Sequence, residues 1–439
     1  MEPLEIVDKA RWNNVHTLLF TSLGLGFFMW GTISSIAPLY YPSVNNVYFI
    51  LAPIIATIVG DLIFPLLSDR LYGRKRTFLM TMSMYGAGTI IIVASSILPS
   101  LTSLSPSKPP LLYLLTLGIV LGVLGVEGEV PVMLSYAAEM MPLKYREKIL
   151  ILAPNFDNVG AMVASGLALL SSALSSSVQL LALSLVAVIG VAFLIVVRMK
   201  LPESVRWLYI KGNKEAVSSE IKKISPKVED FKERSEVRRV SLTSRFLFLV
   251  VIGVSQYLTY GLMAFYIGDF YFPSQENMIV FIANLGASVA GFLATLIIDR
   301  ERTSSFSLFS FTGGFLTIVA ILFSLNTVRV SPALFYSLLF ANMVFSEFGW
   351  AVRTIYEPLL LPNSNRAFLI GMVRLFPITL SSLSVYYSSY LSSPFSYVLY
   401  NTVLWALGAG ATIWWYLKGY DVKRVSLELT SQSKLPVTK

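Results

Sequence analysis

The 439 residues are 55% hydrophobic and only 13% charged, with a mean hydropathy of +0.68 and a formal net charge of +9. A soluble domain carries nearly twice that charged fraction, and here the cations stand in short stretches between long apolar runs, which argues against nucleic acid as a partner and for membrane topology. Without cysteine, and with His16 as the single histidine, the chain excludes disulfides, thiol chemistry and cysteine or multi-histidine metal sites, so no metal and no cofactor are expected.

The stretch from Met1 to Arg11 mixes Glu2, Glu5 and Asp8 with Lys9 and Arg11, and the apolar run after it has no small-residue cleavage pattern. It reads as a retained first helix, not a signal peptide. A bilayer core takes roughly 20 apolar residues per helix. Twelve segments qualify, at 15–40, 46–68, 76–99, 110–136, 148–173, 177–198, 245–270, 276–298, 304–326, 332–357, 366–391 and 394–417. Helices 5 and 8 carry polar interruptions. Links as short as Leu174-Ser175-Ser176 and Ser392-Ser393 force antiparallel neighbours. The loop 199–244 is charged, mixed in sign and helix-prone. The expected organisation is a six-helix bundle over 1–198, a cytoplasmic linker with short helices over 199–244, a second six-helix bundle over 245–417 and a cytoplasmic tail over 418–439. The fold class is all-α: twelve transmembrane helices in two pseudo-symmetric bundles.

Lys and Arg set the orientation. With the N-terminus inside, the inner loops collect Arg70, Arg74, Lys75 and Arg76, then Lys144, Arg146 and Lys148, the loop 199–244, Arg300, Arg302, Arg366 and the tail from Lys418. The outer side collects Lys108 and Arg329. Both termini are therefore expected in the cytoplasm of a cell-membrane protein.

The two halves echo each other. Pro65-Leu-Leu-Ser-Asp-Arg-Leu-Tyr-Gly-Arg-Lys-Arg76 follows helix 2, and Ala294-Thr-Leu-Ile-Ile-Asp-Arg300 follows helix 8. Glu139-Met-Met-Pro-Leu-Lys-Tyr-Arg146 leaves helix 4, and Glu357-Pro-Leu-Leu-Leu-Pro-Asn-Ser-Asn-Arg366 leaves helix 10. Such repeats suit a transporter built from two related halves. These segments resemble the major facilitator superfamily, in its sugar-porter and synaptic-vesicle-like branches. The first is similar to G-x-L-S-D-R-x-G-R-K, with Pro65 in place of the first glycine and Leu71-Tyr72 adding one residue before Gly73. The exit of helix 4, from Pro131 through Tyr136, Glu139 and Pro142 to Arg146, resembles P-x-x-x-x-Y-x-x-E-x-x-P-x-x-x-R. Pro202-Glu-Ser-Val-Arg-Trp-Leu208 and Lys211-Gly-Asn-Lys-Glu-Ala216 resemble P-E-S-P-R-W-L…K-G-x-x-E-E-A. The resemblance implies a monomeric secondary transporter working by alternating access on a small molecule. It also implies a conformational charge network of Asp69, Arg70, Gly73, Arg74, Glu139, Arg146, Glu203 and Arg206. The acidic residue of helix 1 in proton-coupled sugar porters has no match in Gly31-Thr-Ile33, the helix 4 arginine falls at Ile119, and the paired glutamines of helix 7 reduce to Gln256.

Ionisable groups at membrane depth are costly, so they pair or serve function. They are Asp61, Glu127, Glu129, Asp157, Glu347, Arg353 and Arg374. Glu127 and Glu129 lie mid-helix in Gly122-Val-Leu-Gly-Val-Glu-Gly-Glu-Val-Pro131, about 200° apart around the axis, so at most one faces a central cavity squarely. Either one could carry a proton or hold a cation; the alternative is an ion pair with Arg353 or Arg374. Asp157 stands with Asn155 in Asn155-Phe-Asp-Asn158. Glu347, with Asn342 and Trp350, reads as cavity lining, as do Gln256 and Tyr260 in helix 7 and Trp30 in helix 1. The function read here is a transporter of a small polar metabolite, a sugar in the first instance, coupled to protons. The alternatives are a proton-coupled carrier of another organic solute and a membrane sensor that no longer transports. The residues offer no nucleotide motif or nucleophile–base arrangement, and an enzyme is not expected.

Overall fold

In the computed structural model, residues 3–171, 173–224, 228, 237–327, 331–388 and 390–432 are described. Helices dominate, and among the described residues the only β pairing is an isolated bridge between Ala10 and Val228.

The spanning segments, in order, are α1 (Asn14–Ser34, continued by Ile36–Val44), α2 (Val47–Leu67), α3 (Gly73–Leu101), α4 (Leu111–Met140), α5 (Arg146–Leu152 and Phe156–Leu170) and α6 (Ser176–Met199). There follow α7 (Leu242–Gly261), α8 (Glu276–Ile298), α9 (Thr303–Ser324), α10 (Pro332–Leu360), α11 (Arg366–Ser388) and α12 (Pro394–Lys418). By length and composition, eight helical runs among the described residues could each cross a membrane. The run Tyr48–Leu101 holds both α2 and α3. Three helices fall short of that criterion: α5 is broken, α10 carries Asn342, Glu347, Arg353 and Glu357, and α12 is rich in Trp and Tyr.

Departures from the sequence reading have local causes. Helix 5 is interrupted at Ala153–Asn155 because Pro154 offers no N–H to the preceding turn. Helix 7 continues past Gly261 through a π turn at Leu262–Tyr266 and a last helical turn at Ile267–Tyr271. Between α2 and α3, the residue added by Leu71-Tyr72 is taken up as a second π turn, Ser68–Tyr72. One inserted residue is what such a turn accommodates. Arg329, expected on the outer side, lies outside the described residues.

Two compact units divide the chain. The first holds Met1–Pro142, Phe156–Asp230 and Ser364–Gly371; the second holds Leu143–Asn155, Phe231–Asn363 and Met372–Lys439. The first is packed around Met29 and Ile33 of α1, Tyr85 and Ile92 of α3, Ile119 and Val123 of α4, and Leu183 and Leu194 of α6. Its helices approach closely where small residues meet. A side chain on Gly31 of α1 would collide with the Asp157 carbonyl of α5, and close backbone approach of this kind is a main source of helix association in lipid.

Candidate functional site

At the α2–α3 junction two π-turn carbonyls accept bonds from the segment after α6. Trp207 Nε1 donates to the Asp69 carbonyl at 3.0 Å, and Lys211 Nζ donates to the Arg70 carbonyl at 2.9 Å. The start of α3 needs acceptors for its first amides. Glu203 supplies them, accepting from Arg74 N at 2.8 Å and Lys75 N at 3.2 Å, a favourable place for a carboxylate. Gly73 is required there. Its φ is +77°, and a Cβ would press on the Glu203 carboxylate. Burial pushes the Glu203 carboxyl above the usual range, with the three amides pulling the other way.

Arg74 is the hub of this cluster. It donates to Glu139 at 2.6 and 3.0 Å, to Asp69 at 2.6 Å and to the Ser68 hydroxyl at 3.0 Å. Glu139 also accepts from Ser204 Oγ at 2.6 Å and from Arg366 at 3.1 Å, and Asp69 accepts from the Phe368 amide at 2.9 Å. Arg206 donates to the Glu139 carbonyl and to Asp8, both at 2.7 Å. The structure therefore brings Asp69, Gly73, Arg74, Glu139, Glu203 and Arg206 together. It puts Arg70 at the surface with an exposed side chain. Arg146 falls in the second unit, where it donates to the Val425 carbonyl. Arg366 joins Glu139 in the first unit.

Deeper in the first unit, Glu129 is locked. Arg198 of α6 grips both of its oxygens, Thr81 of α3 donates to it at 2.5 Å, and the same guanidinium bonds Tyr85 Oη at 2.8 Å and the Phe78 carbonyl at 3.3 Å. From sequence, Arg353 and Arg374 are the partners offered for Glu127 and Glu129; the guanidinium that holds Glu129 is that of Arg198, at the end of helix 6, a residue not singled out there. Glu127, on another side of α4, is buried and accepts a bond from Ser34 of α1 at 3.4 Å. Asp157 is half-buried and accepts from the amide of Asn158 at 2.5 Å. Trp30 meets Phe27 edge-on at 6.2 Å.

In the second unit, Gln256 of α7 accepts from Arg353 of α10 at 2.8 Å. Arg353 also pairs with Glu357 one turn on, at 2.8 Å, and lies over the Trp350 ring at 4.9 Å. Arg374 and Glu347 are buried in the same unit. Tyr260 donates to Asn284 at 2.6 Å, and Asn155 donates to the Ser288 carbonyl at 3.0 Å. Asn342, read from sequence as cavity lining, stands inside the packing of this unit. It is fully buried and donates to Thr317 Oγ1 at 2.9 Å and to the Gly314 carbonyl at 3.2 Å, tying α10 to α9.

A family model described as "Sugar (and other) transporter" matches residues 27–428. The chain belongs to that family. Compared by sequence with curated proteins, it finds no match. Among solved structures it is similar to the proton:xylose symporter XylE bound to 6-bromo-6-deoxy-D-glucose, with a TM-score of 0.72 at 14% identity over 95% of this chain and 98% of that one. It is similar to a partially occluded inward-open conformation of the xylose transporter XylE from E. coli, at 0.66 and 14% over 94% and 99%. The fucose:proton symporter FucP of E. coli gives 0.61 and 13% over 91% and 99%. The fold is that of the major facilitator superfamily, twelve helices in two bundles, and the protein is a multi-pass membrane transporter.

Proposed function

We propose that this family member is a proton-coupled sugar transporter of the cell membrane with both termini in the cytoplasm, working as a monomer by alternating access. One observation carries the reading: the sugar-transporter family model matches residues 27–428. Within it, Glu129 is engaged on both oxygens by Arg198 as a tie between helices, and Glu127, buried at membrane depth beside Ser34, is proposed as the coupling carboxyl, because such groups are costly in a bilayer unless they pair or serve function. The proton symport named for the xylose and fucose proteins supports the coupling.

Substrate contacts are proposed for Trp30, Asn155 and Asp157 in α1 and α5, and for Gln256, Tyr260, Glu347 and Trp350 in α7 and α10. The cluster of Asp69, Arg74, Glu139, Glu203 and Arg206 is proposed as the conformational latch. Residues 1–198 and 245–417 are taken as the two bundles, joined by 199–244 and followed by the tail 418–439. The ligand is a small molecule with no role for nucleic acid. The family's transport activity supports a carrier over an enzyme.

Uptake of labelled sugars, organic acids and amines by the purified protein in liposomes, with and without an inward proton gradient, tests this. Gradient-stimulated sugar uptake that Glu127→Gln renders insensitive to pH is the expected result. Sugar uptake indifferent to the gradient in the unaltered protein overturns the coupling, and stimulated uptake of a different class overturns the sugar.

A further inference from the structure

The latch leaves part of its own motif unused. Asp69 and Arg74 are buried in it, but the Arg70 and Arg76 side chains are exposed, and among the described residues neither guanidinium has a hydrogen-bond or ion-pair partner. Between them stand Leu71 and Tyr72, 62% and 37% exposed, turned outwards by the π turn.

The depth of this group follows from the helices on either side. Exposed positions of α2 run Tyr48, Leu51, Ile55, Val59 and Ile63, every three or four residues, so they form one apolar stripe. Arg70 lies seven residues beyond Ile63, past the start of the π turn, with its side chain exposed. On α3 the exposed stripe steps from Leu101 back through Ile97 and Ile90 to Met80, and Arg76 is one turn further. Two stripes of the kind that face acyl chains therefore end in arginine at the same junction, where headgroups begin. The backbone there is pinned by Trp207 and Lys211, so the two guanidiniums are held on a fixed turn.

We propose that the α2–α3 turn binds the headgroup of an anionic phospholipid, with Arg70 and Arg76 on the phosphate and Leu71 and Tyr72 among the upper acyl carbons. A guanidinium matches a phosphate in a bidentate fashion. A zwitterionic lipid offsets its own phosphate with an ammonium, so the anionic class is favoured. Lys75, half-buried, and Lys211, exposed on the surface, add to the local charge. The site needs only that the chain sits in a membrane, and it stands or falls separately from the transported substrate.

The test titrates the purified full-length protein in detergent with phosphatidylglycerol, phosphatidylcholine and glycerol phosphate, reading bound lipid by native mass spectrometry. Phosphatidylglycerol is expected to bind in preference to phosphatidylcholine, with binding weakened by salt and about fivefold weaker for each of Arg70→Gln and Arg76→Gln. The double lysine variant, Arg70→Lys with Arg76→Lys, keeps the charge and should stay within about fivefold of the unaltered protein. Leu71→Ser with Tyr72→Ser should weaken lipid binding while leaving its salt dependence. Binding unchanged in the double glutamine variant overturns the proposal. So does a lysine pair as weak as the glutamine pair, or glycerol phosphate competing as well as the lipid.

Discussion

Arg198, at the end of α6, reaches back to hold both carboxylate oxygens of Glu129 in the middle of α4. Both side chains are essentially unexposed. Taking one charge from such a pair leaves the other uncompensated, which costs about 3–5 kcal/mol. Glu129→Gln and Arg198→Met should each lower the melting temperature of the purified protein sharply. Combining Glu129→Gln with Arg198→Gln should recover much of the loss, because no lone charge remains. Single variants as stable as the unaltered protein would show that the pair carries no such weight.

Close approach of α1 and α5 rests on Gly31, whose missing side chain makes room for the Asp157 carbonyl. Gly31→Ala should force the helices apart at a cost of about 1–3 kcal/mol. Gly261, by contrast, has nothing within 4 Å of where a Cβ would stand. Gly261→Ala should be neutral or slightly stabilising, since alanine is the better helix former. Thermal denaturation of the two variants side by side checks the contrast, and equal losses would contradict it.

Glu203 gives a pH signature. Burial holds its carboxyl above the ordinary value of 4.5, so the folded protein binds a proton that the unfolded chain has already released. In that window stability falls as pH rises. Glu203→Gln does not titrate. The unaltered protein should therefore lose melting temperature relative to the variant as pH climbs above the ordinary carboxyl value of 4.5. A difference that is flat with pH, or that grows, would refute the assignment.

The long apolar runs made the helices readable from sequence, because a bilayer demands roughly 20 apolar residues whatever the substrate. Pro154 shows how a break goes unnoticed inside such a run: the hydropathy continues although one amide is missing. The extra residue at Leu71-Tyr72 was visible as an irregularity in a motif, but its absorption as a π turn depends on Trp207 and Lys211, more than 130 residues away. The candidate site was less legible. Spacing fixes that Glu127 and Glu129 diverge, yet the partner of Glu129 depends on α6 presenting Arg198. An arginine at a helix end looks topogenic until its long side chain is seen reaching inwards. The bonds of Asn342 were hidden for a related reason: polarity in an apolar helix does not distinguish a cavity wall from a bond between helices.

Lys423 ties the chain after α12 to the end of α8. Its Nζ donates to the carbonyls of Ile298, Asp299 and Glu301 at 2.8, 2.9 and 2.7 Å, closing the end of α8 where carbonyls lack intrahelical partners. A cation is favoured at that end of a helix. Around it the tail is fastened by Asp421 to Arg302 at 3.0 Å and by the Arg424 amide to Glu147 at 3.1 Å, while Val422, Val425 and Leu427 are buried. Burial pulls the Lys423 ammonium below its ordinary value, and the surrounding carboxylates oppose this. Lys423→Met removes three acceptors' partner at once but keeps the apolar stem. A partly solvated contact of this kind is worth about 1 kcal/mol, so amide exchange at Val422, Val425 and Leu427 should quicken roughly fivefold. Exchange at Leu339 and Met343, buried in α10, should stay put, because those helical bonds do not depend on the tail. Unchanged exchange along 420–430 would mean that the tail is held by its apolar residues and that the lysine merely decorates the end of α8.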